Sequence, residues 1–235
     1  MRDPVTALER LQRRVIACRK CPRLVLYREK VAREKRRAYR DWEYWGRPIP
    51  SFGDAKARFL IIGLAPAAHG GNRTGRMFTG DRSGDFLYSA LHRFGFANQP
   101  TSVRRGDGLE LTNAYITAVL RCAPPKNKPR PDELANCRPY LERELGLLGN
   151  IRVVLALGRI AFDNYLRLLR DHDLITSTKP YRFAHGAEHE LPRPLPWLFA
   201  SYHPSQQNTQ TGRLTRAMFD SVLRRICRRL AEEKG

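Results

Sequence analysis

Short apolar segments alternate with amphipathic segments along this chain, and that alternation limits its fold more than any other feature. Continuous apolar runs, typical of strands buried on both faces of a parallel sheet, lie at residues 58–64, 109–121, 153–157 and 197–202. Apolar residues recur at helical spacing at 4–20, 85–94, 131–148, 159–169 and 212–231. The alternation predicts an α/β fold, a three-layer α/β/α arrangement around a central four-stranded parallel sheet, in a single domain over residues 1–235.

The chain is also strongly basic. Its 43 lysine and arginine residues stand against 23 aspartate and glutamate residues, which gives a formal net charge of +20 at pH 7. Residues 1–57 form a basic N-terminal segment. Proteins this basic commonly bind a polyanion, so nucleic acid is the first candidate partner, and a merely solvated arginine-rich surface is the alternative. The 42% hydrophobic content is enough for a core and excludes a disordered or low-complexity chain.

The sequence predicts neither export nor membrane insertion. The first residues lack the apolar stretch of a signal peptide, and the longest apolar-rich run, 59–68, contains glycine and proline and is too short to span a bilayer. We therefore expect a cytoplasmic, nucleoid-associated protein with no membrane partner, and we expect it to be a monomer.

Four of the five cysteines form a pattern typical of a metal site. Cys18 and Cys21 make a CxxC pair, and Cys122 and Cys137 lie among prolines further along the chain. Disulfides are disfavoured in a reducing compartment. Four thiolates suit either a tetrahedral zinc ion or a [4Fe–4S] cluster, and the spacing does not decide between them. Cys227 falls in the apolar stripe of the last helix and is interpreted as a core residue.

Ligands bind at the carboxyl ends of strands in parallel sheets, so the loops that follow the strands are where we expect a functional site. Three of these loops are unusual: a glycine-rich loop at 65–84, a proline-rich loop at 121–130 and a polar loop at 203–213. His203 ends a strand and opens the third loop. It is a candidate hydrogen-bond donor, because a neutral imidazole carries one N–H.

These loops resemble the uracil-DNA glycosylase superfamily and, within it, the iron–sulfur members. The segments GLAPAAHGGNRTGRMFTGD at 63–81 and HPSQQNTQTG at 203–212 resemble the family 5 (type b) versions, and the cysteine pattern resembles that shared by families 4 and 5. The resemblance covers roughly residues 15–225. It implies a [4Fe–4S] cluster on the four cysteines and hydrolytic excision of uracil from DNA. A non-catalytic iron–sulfur or zinc module that binds nucleic acid, and a ferredoxin-like electron carrier, are the alternatives.

The resemblance also implies roles for particular residues. His203 matches the histidine that donates a hydrogen bond to the carbonyl oxygen of the leaving uracil, and Phe78 matches the aromatic residue that stacks on the flipped base. The acidic residue of the first motif is missing, because Leu64 and Ala65 stand where families 4 and 1 carry carboxylates. Asp81 is the nearest carboxylate and is predicted to position a water or to stabilise the sugar cation.

Base recognition departs from the narrower families. Ala118 stands where family 4 has an asparagine that reads uracil, which predicts a roomier site that also accepts deaminated purines such as hypoxanthine and xanthine. Asn127 matches an asparagine in both families and is assigned a supporting role. Ala65 and Ala68 are expected to line the pocket, since small side chains permit close approach of the backbone.

DNA contacts are expected from the third loop and from one helix N-terminus. The predicted DNA-binding residues are Ser205, Gln206, Gln207, Asn208 and Arg159. Asp85 is expected to cap the helix that follows Asp81. No lysine stands in the resembling motifs to form a Schiff base, so the resemblance implies a monofunctional enzyme that leaves an abasic site. Arg73 and Arg76 cannot be told apart by sequence.

Overall fold

The computed structural model describes residues 4–232, so the first three and last three residues of the predicted single domain lie outside the described part. A sheet of six strands, in the order β1-β3-β2-β4-β6-β5, forms its centre. The strands are β1 (Phe52–Gly53), β2 (Phe59–Gly63), β3 (Ala114–Ala118), β4 (Val153–Leu157), β5 (Glu188–His189) and β6 (Trp197–Ser201). Strands β3, β2, β4 and β6 are parallel, as the apolar runs predict.

The four predicted parallel strands are confirmed, and the sheet has two further strands that the sequence did not predict. β1 and β5 are two-residue strands that pair antiparallel with β3 and β6 at the edges of the sheet. Such short segments contain no apolar periodicity, and only their pairing with a distant strand makes them strands. The third apolar run was also predicted too long, because only Ala114–Ala118 of 109–121 is a strand.

Helices cover both faces of the sheet, which confirms the three-layer architecture. The helices of the described residues are α1 (Pro4–Ile16), α2 (Pro22–Glu34), α3 (Gly71–Thr74), α4 (Arg82–Arg93), α5 (Pro131–Leu147), α6 (Arg159–Asp171), α7 (Gln206–Gln210) and α8 (Arg216–Glu232). One core layer joins α4 and α8 to the sheet through residues such as Leu87 and Phe219, and the other joins α1, α5 and α6 through residues such as Leu141 and Phe162. No helix within residues 4–232 is both long enough and apolar enough to cross a membrane.

The N-terminal segment folds as two helices with a break at the CxxC pair. The spacing of apolar residues predicts one helix over 4–20, but α1 ends at Ile16 and α2 begins at Pro22. Proline is favoured at the first helical position and cannot continue a helix from its interior. The break leaves Cys18 and Cys21 outside any helix, where their side chains can face the rest of the fold.

A buried ion pair ties α5 to the sheet. Arg121, just beyond β3, donates to a Glu144 carboxylate oxygen at 2.5 Å, and neither side chain is more than 2% exposed. The second carboxylate oxygen of Glu144 accepts from the hydroxyl of Tyr115 at 3.1 Å and from the amide of Gln12, in α1, at 2.7 Å. Charged groups are stable in a protein interior only when they are paired and hydrogen-bonded in this way.

Candidate active site at the carboxyl ends of the strands

His203 and Phe78 meet at the edge of the sheet where β2 and β6 end. Their rings are stacked, with centroids 5.8 Å apart and planes inclined by 27°. Phe78 has a φ of 51°, an uncommon conformation for a residue with a bulky side chain. Its ring lies directly over Gly63, where a Cβ atom would stand 2.8 Å from the ring. The glycine at the end of β2 is therefore what allows the aromatic ring to reach the histidine.

The imidazole of His203 is neutral at physiological pH. Burial lowers its pKa to about 4, because the charged form loses its hydration. Within residues 4–232 no side-chain or backbone group hydrogen-bonds to its ring, whereas its backbone carbonyl accepts from the side-chain amide of Asn208 at 2.8 Å. The loop is thus held through the backbone, and the ring keeps one free N–H donor for a ligand.

Asp81 caps α4, a role that the sequence prediction assigned to Asp85. One carboxylate oxygen of Asp81 accepts from the backbone N–H of Gly84 at 3.0 Å, and Asp85 is exposed in the first turn. The other oxygen lies against Gly70, close enough that a Cβ atom there would collide with it. Burial raises the pKa of Asp81, and the backbone N–H groups and Arg73 oppose that rise. One oxygen of the carboxylate is therefore fixed by the helix cap, and the other lies against Gly70.

Arg73 fastens the two ends of the glycine-rich loop. Its guanidinium donates to the backbone carbonyl of His69 at 2.9 Å and to that of Gly80 at 2.7 Å. The same group is stacked on Tyr39 and Trp42, with its central carbon 3.9 and 4.1 Å from the ring centroids. The sequence does not show this role, because the two aromatic rings come from a segment before β1, far from Arg73 along the chain.

Arg76, three residues further along the chain, has different partners from Arg73. It forms a buried bidentate pair with Asp107, at 2.8 and 2.6 Å, and also donates to the hydroxyl of Ser102 at 2.8 Å. The structure therefore separates two arginines that the sequence could not: Arg73 shapes the loop that carries Asp81, and Arg76 anchors that loop to the segment before β3.

The remaining predicted substrate-binding residues lie in three places. Ala118 is buried at the end of β3 and is paired in register with Gly63, the residue over which the ring of Phe78 lies. Ala68 and Asn127 line a cleft of about 500 Å³ together with Asp81. Ala65 instead packs against the cluster of apolar residues around the cysteines.

The predicted DNA-binding residues also lie in different environments. The Ser205 hydroxyl accepts from the backbone N–H of Asn208 and caps α7, so both side chains hold the loop that begins at His203. Gln206 and Gln207 are exposed, and Gln206 reaches the cleft that contains Asp81. Arg159 is exposed at the first residue of α6, with its guanidinium over the ring of Phe183.

The four predicted metal-ligating cysteines converge on one small cavity, between the α1–α2 break, the end of β3 and α5. All are free thiols. Each of three sulfurs accepts from a neighbouring N–H: Cys21 from Asn136 at 3.7 Å, Cys122 from Arg28 at 2.9 Å and Cys137 from the Arg121 backbone at 3.3 Å. Cys227 lies apart, against the core in α8, as predicted.

The charge around these cysteines fits an anionic group. Arg28 is 2% exposed, it pairs with no carboxylate among residues 4–232, and its Nε is buried without a partner. Its other nitrogens donate to the Cys122 sulfur and to the Cys18 carbonyl. A buried cation without a counter-ion is unfavourable, and a cluster with four thiolate ligands would carry the missing negative charge.

In the described part of the chain, no three metal-ligating side chains stand close enough to hold one ion. A cubane holds its thiolates further apart than a single ion does, so a cluster does not require such a close group.

Comparison with known proteins places the chain in a family. A model of the uracil DNA glycosylase superfamily matches residues 50–227. A protein of Thermus thermophilus named type-5 uracil-DNA glycosylase is 56% identical over 88% of this chain and 91% of its own length. A protein of the same name from Pyrobaculum aerophilum is 46% identical over 90% and 88%. A type-4 uracil-DNA glycosylase of Archaeoglobus fulgidus is 29% identical over 85% and 82%.

Two substitutions at Asp81 should separate the contribution of its helix-capping hydrogen bond to stability from that of its negative charge. Asparagine caps a helix as well as aspartate, whereas alanine loses about 1 kcal/mol of stability. The raised pKa means that the folded state binds the Asp81 proton more tightly than the unfolded state does. The stabilisation that this proton provides is present at low pH and is lost as the pH rises through the folded pKa. Asp81→Asn should therefore raise the free energy of unfolding at neutral pH, and Asp81→Ala should not, as measured by urea titration.

The gain from Asp81→Asn should disappear at pH values below the ordinary pKa of aspartate, where the wild-type carboxyl is protonated in both states. Asp163→Asn, which makes the same exchange at a partly buried position in α6 outside the cleft, serves as the control and should not raise the free energy of unfolding at neutral pH. Equal destabilisation by asparagine and alanine at position 81 would contradict this account of a buried, capping carboxylate.

Proposed function

The chain belongs to the uracil-DNA glycosylase superfamily, and we propose that it flips uracil out of DNA, hydrolyses the N-glycosidic bond and leaves an abasic site. The observation that carries the proposal is the pair of His203 and Phe78, a neutral histidine stacked on an aromatic ring at the carboxyl edge of the sheet. A flipped base needs both an apolar face to stack on and a donor to its polar edge.

His203 is proposed to stabilise the departing base. As the bond from the sugar to the base nitrogen lengthens, negative charge accumulates on the base and spreads to its carbonyl oxygen. A donor that is already in place stabilises this charge without reorganisation. The pKa of about 4 for His203 means that its ring carries a single N–H proton at neutral pH, and that it can donate a hydrogen bond without first changing its protonation state.

Asp81 is proposed to act on the other side of the breaking bond. The sugar becomes cationic as the base leaves, and a carboxylate near it stabilises that cation or orients the water that attacks C1′. The water oxygen bonds to C1′, one water proton passes to solvent through the cleft, and the base departs with the bonding electrons and is then protonated. The cap to Gly84 holds Asp81 still, while Arg73 keeps the pKa of its carboxyl from rising further.

A uracil-containing duplex tests the proposal. The wild-type protein should release uracil and leave alkali-labile abasic sites. His203→Ala should lower the single-turnover rate by roughly 10²–10³-fold, the usual loss when one charge-stabilising donor is removed. His92→Ala, which removes an exposed histidine of α4, is the matched control and should retain the wild-type rate. Equal rates for the two variants would contradict the proposed role of His203.

The substrate range is proposed to extend beyond uracil to hypoxanthine and xanthine. Ala118 supports this, because its methyl group, buried next to Gly63 in the sheet, offers no amide to discriminate between bases. A duplex containing hypoxanthine should lose that base under conditions that remove uracil, while an otherwise identical duplex containing adenine should not. Absence of hypoxanthine release alongside efficient uracil release would contradict the wide pocket.

A [4Fe–4S] cluster is proposed on Cys18, Cys21, Cys122 and Cys137. The support is the convergence of four free thiols on one cavity and the buried, unpaired cation of Arg28 beside them. When bound, the cluster would join the α1–α2 break to β3 and α5, a structural role, since all four iron positions would be filled by cysteine. The hydrolysis itself would depend on His203, Phe78 and Asp81.

Metal analysis tests the cluster. Protein purified without oxygen should contain about four iron and four sulfide per chain and should absorb broadly in the visible. Cys122→Ser should lose iron and absorbance, whereas Cys227→Ser, in the core of α8, should keep both. One zinc per chain without sulfide would establish the other reading of the four cysteines.

We further propose that the protein works as a monomer on nucleoid DNA in the cytoplasm, where its net charge of +20 favours binding to a polyanion.

A further inference from the structure

We propose that Arg36, Arg82 and Lys126 form a phosphate-binding site, here called the cationic rim, that holds the DNA backbone on either side of the flipped nucleotide. The inference rests on the proposed function, because it takes DNA to be the ligand of the cleft. It adds three residues that neither the loop motifs nor the comparisons assign.

The cationic rim surrounds the cleft that contains Asp81. The three side chains line the same cleft of about 500 Å³ as Asp81 and Asn127. They arrive from separate parts of the chain: Arg36 from the segment after α2, Arg82 from the start of α4, and Lys126 from the proline-rich loop after β3. Three cations therefore line one opening, and Asp81 is the single carboxylate among the residues that line it.

The rim cations have no partner among the described residues. Most of the arginines that contact other groups are committed to carboxylates, for example Arg93 to Asp220 at 2.5 Å and Arg138 to Asp171 at 2.6 Å. Within residues 4–232, the side chains of Arg36, Arg82 and Lys126 make neither a hydrogen bond nor a salt bridge, and all three are exposed. Their donors are free for a ligand.

The backbone is constrained at two of the three rim residues. Lys126 and the next residue, Asn127, have φ values of 54° and 56°, a left-handed conformation that is uncommon outside glycine, in a loop stiffened by flanking prolines. The backbone N–H of Arg36 donates to the Tyr44 hydroxyl, which also hydrogen-bonds to His69 at the cleft wall. Strained backbone of this kind is characteristic of binding sites.

The chemistry of the rim suits a chain of phosphodiesters better than a single small anion. Guanidinium groups bind phosphate through two parallel hydrogen bonds, and an ammonium group binds it as a point charge. Three such groups, carried by separate segments that line one cleft, can each bind a different phosphate while the nucleotide between those phosphates enters the cleft. Gln206, on the same wall, is an additional donor to the backbone.

Salt dependence of DNA binding tests the rim. Binding of the whole protein to a fluorescent duplex without uracil is measured across a range of salt concentrations for the wild type and for Arg36→Gln, Arg82→Gln and Lys126→Gln. Each lost phosphate contact should reduce the slope of log K against log salt by about one. The triple variant should lose nearly three, with an unchanged thermal unfolding midpoint.

Arg167→Gln is the matched control. Arg167 is also an exposed arginine with no partner among the described residues, but it lies two turns along α6, away from the carboxyl edge of the sheet. Its replacement should leave the slope unchanged. Slopes for the rim variants equal to that of Arg167→Gln would overturn the proposal.

The assay distinguishes this inference from the proposed function. If the wild type releases no uracil but the rim variants still lose slope, the phosphate site stands and the glycosylase proposal fails. If the wild type releases uracil and the rim slopes do not change, the glycosylase proposal stands and the rim is wrong.

Discussion

The buried pair of Arg121 and Glu144 is the interaction on which the loops at the carboxyl edge of the sheet depend. Removing two charges from water is costly, and the surrounding hydroxyl and amide groups offset that cost only if α1, β3 and α5 all stand in place. Arg121 also precedes Cys122, and its backbone N–H donates to the sulfur of Cys137. One set of contacts therefore positions the end of β3, two of the cysteines and the start of the loop that carries Lys126 and Asn127.

Removal from water also sets the chemistry of the site. The same physical cause acts in opposite directions on its two titratable groups: burial lowers the pKa of His203 and raises that of Asp81. Each group is moved toward its neutral form. For the histidine this is useful, since a neutral ring can donate at once. For the aspartate it is opposed by the helix cap and by Arg73, which favour the charged carboxylate that the proposed stabilisation of the sugar requires.

The positive charge of the chain divides into two populations once the fold is known. Arg73, Arg76 and Arg121 are buried and shape the loops, and Arg28 faces the cysteines. The cations of the rim are exposed and unpaired. A net charge of +20 predicts a polyanionic partner but not which of the basic residues meet it. Pairing and burial, which depend on contacts between distant segments, make that distinction.

Sequence alone determined the four parallel strands, with Val153–Leu157 at its predicted bounds, the layers of helices and the motifs that carry His203 and Phe78, because local periodicity and short motifs are properties of neighbouring residues. It also grouped four cysteines, though not the arginine beside them. Only the tertiary structure decided that Asp81 rather than Asp85 caps α4, that Arg73 and Arg76 differ, and that two-residue strands close the sheet. Each of these depends on which distant groups come within hydrogen-bonding distance, and a linear pattern does not contain that information.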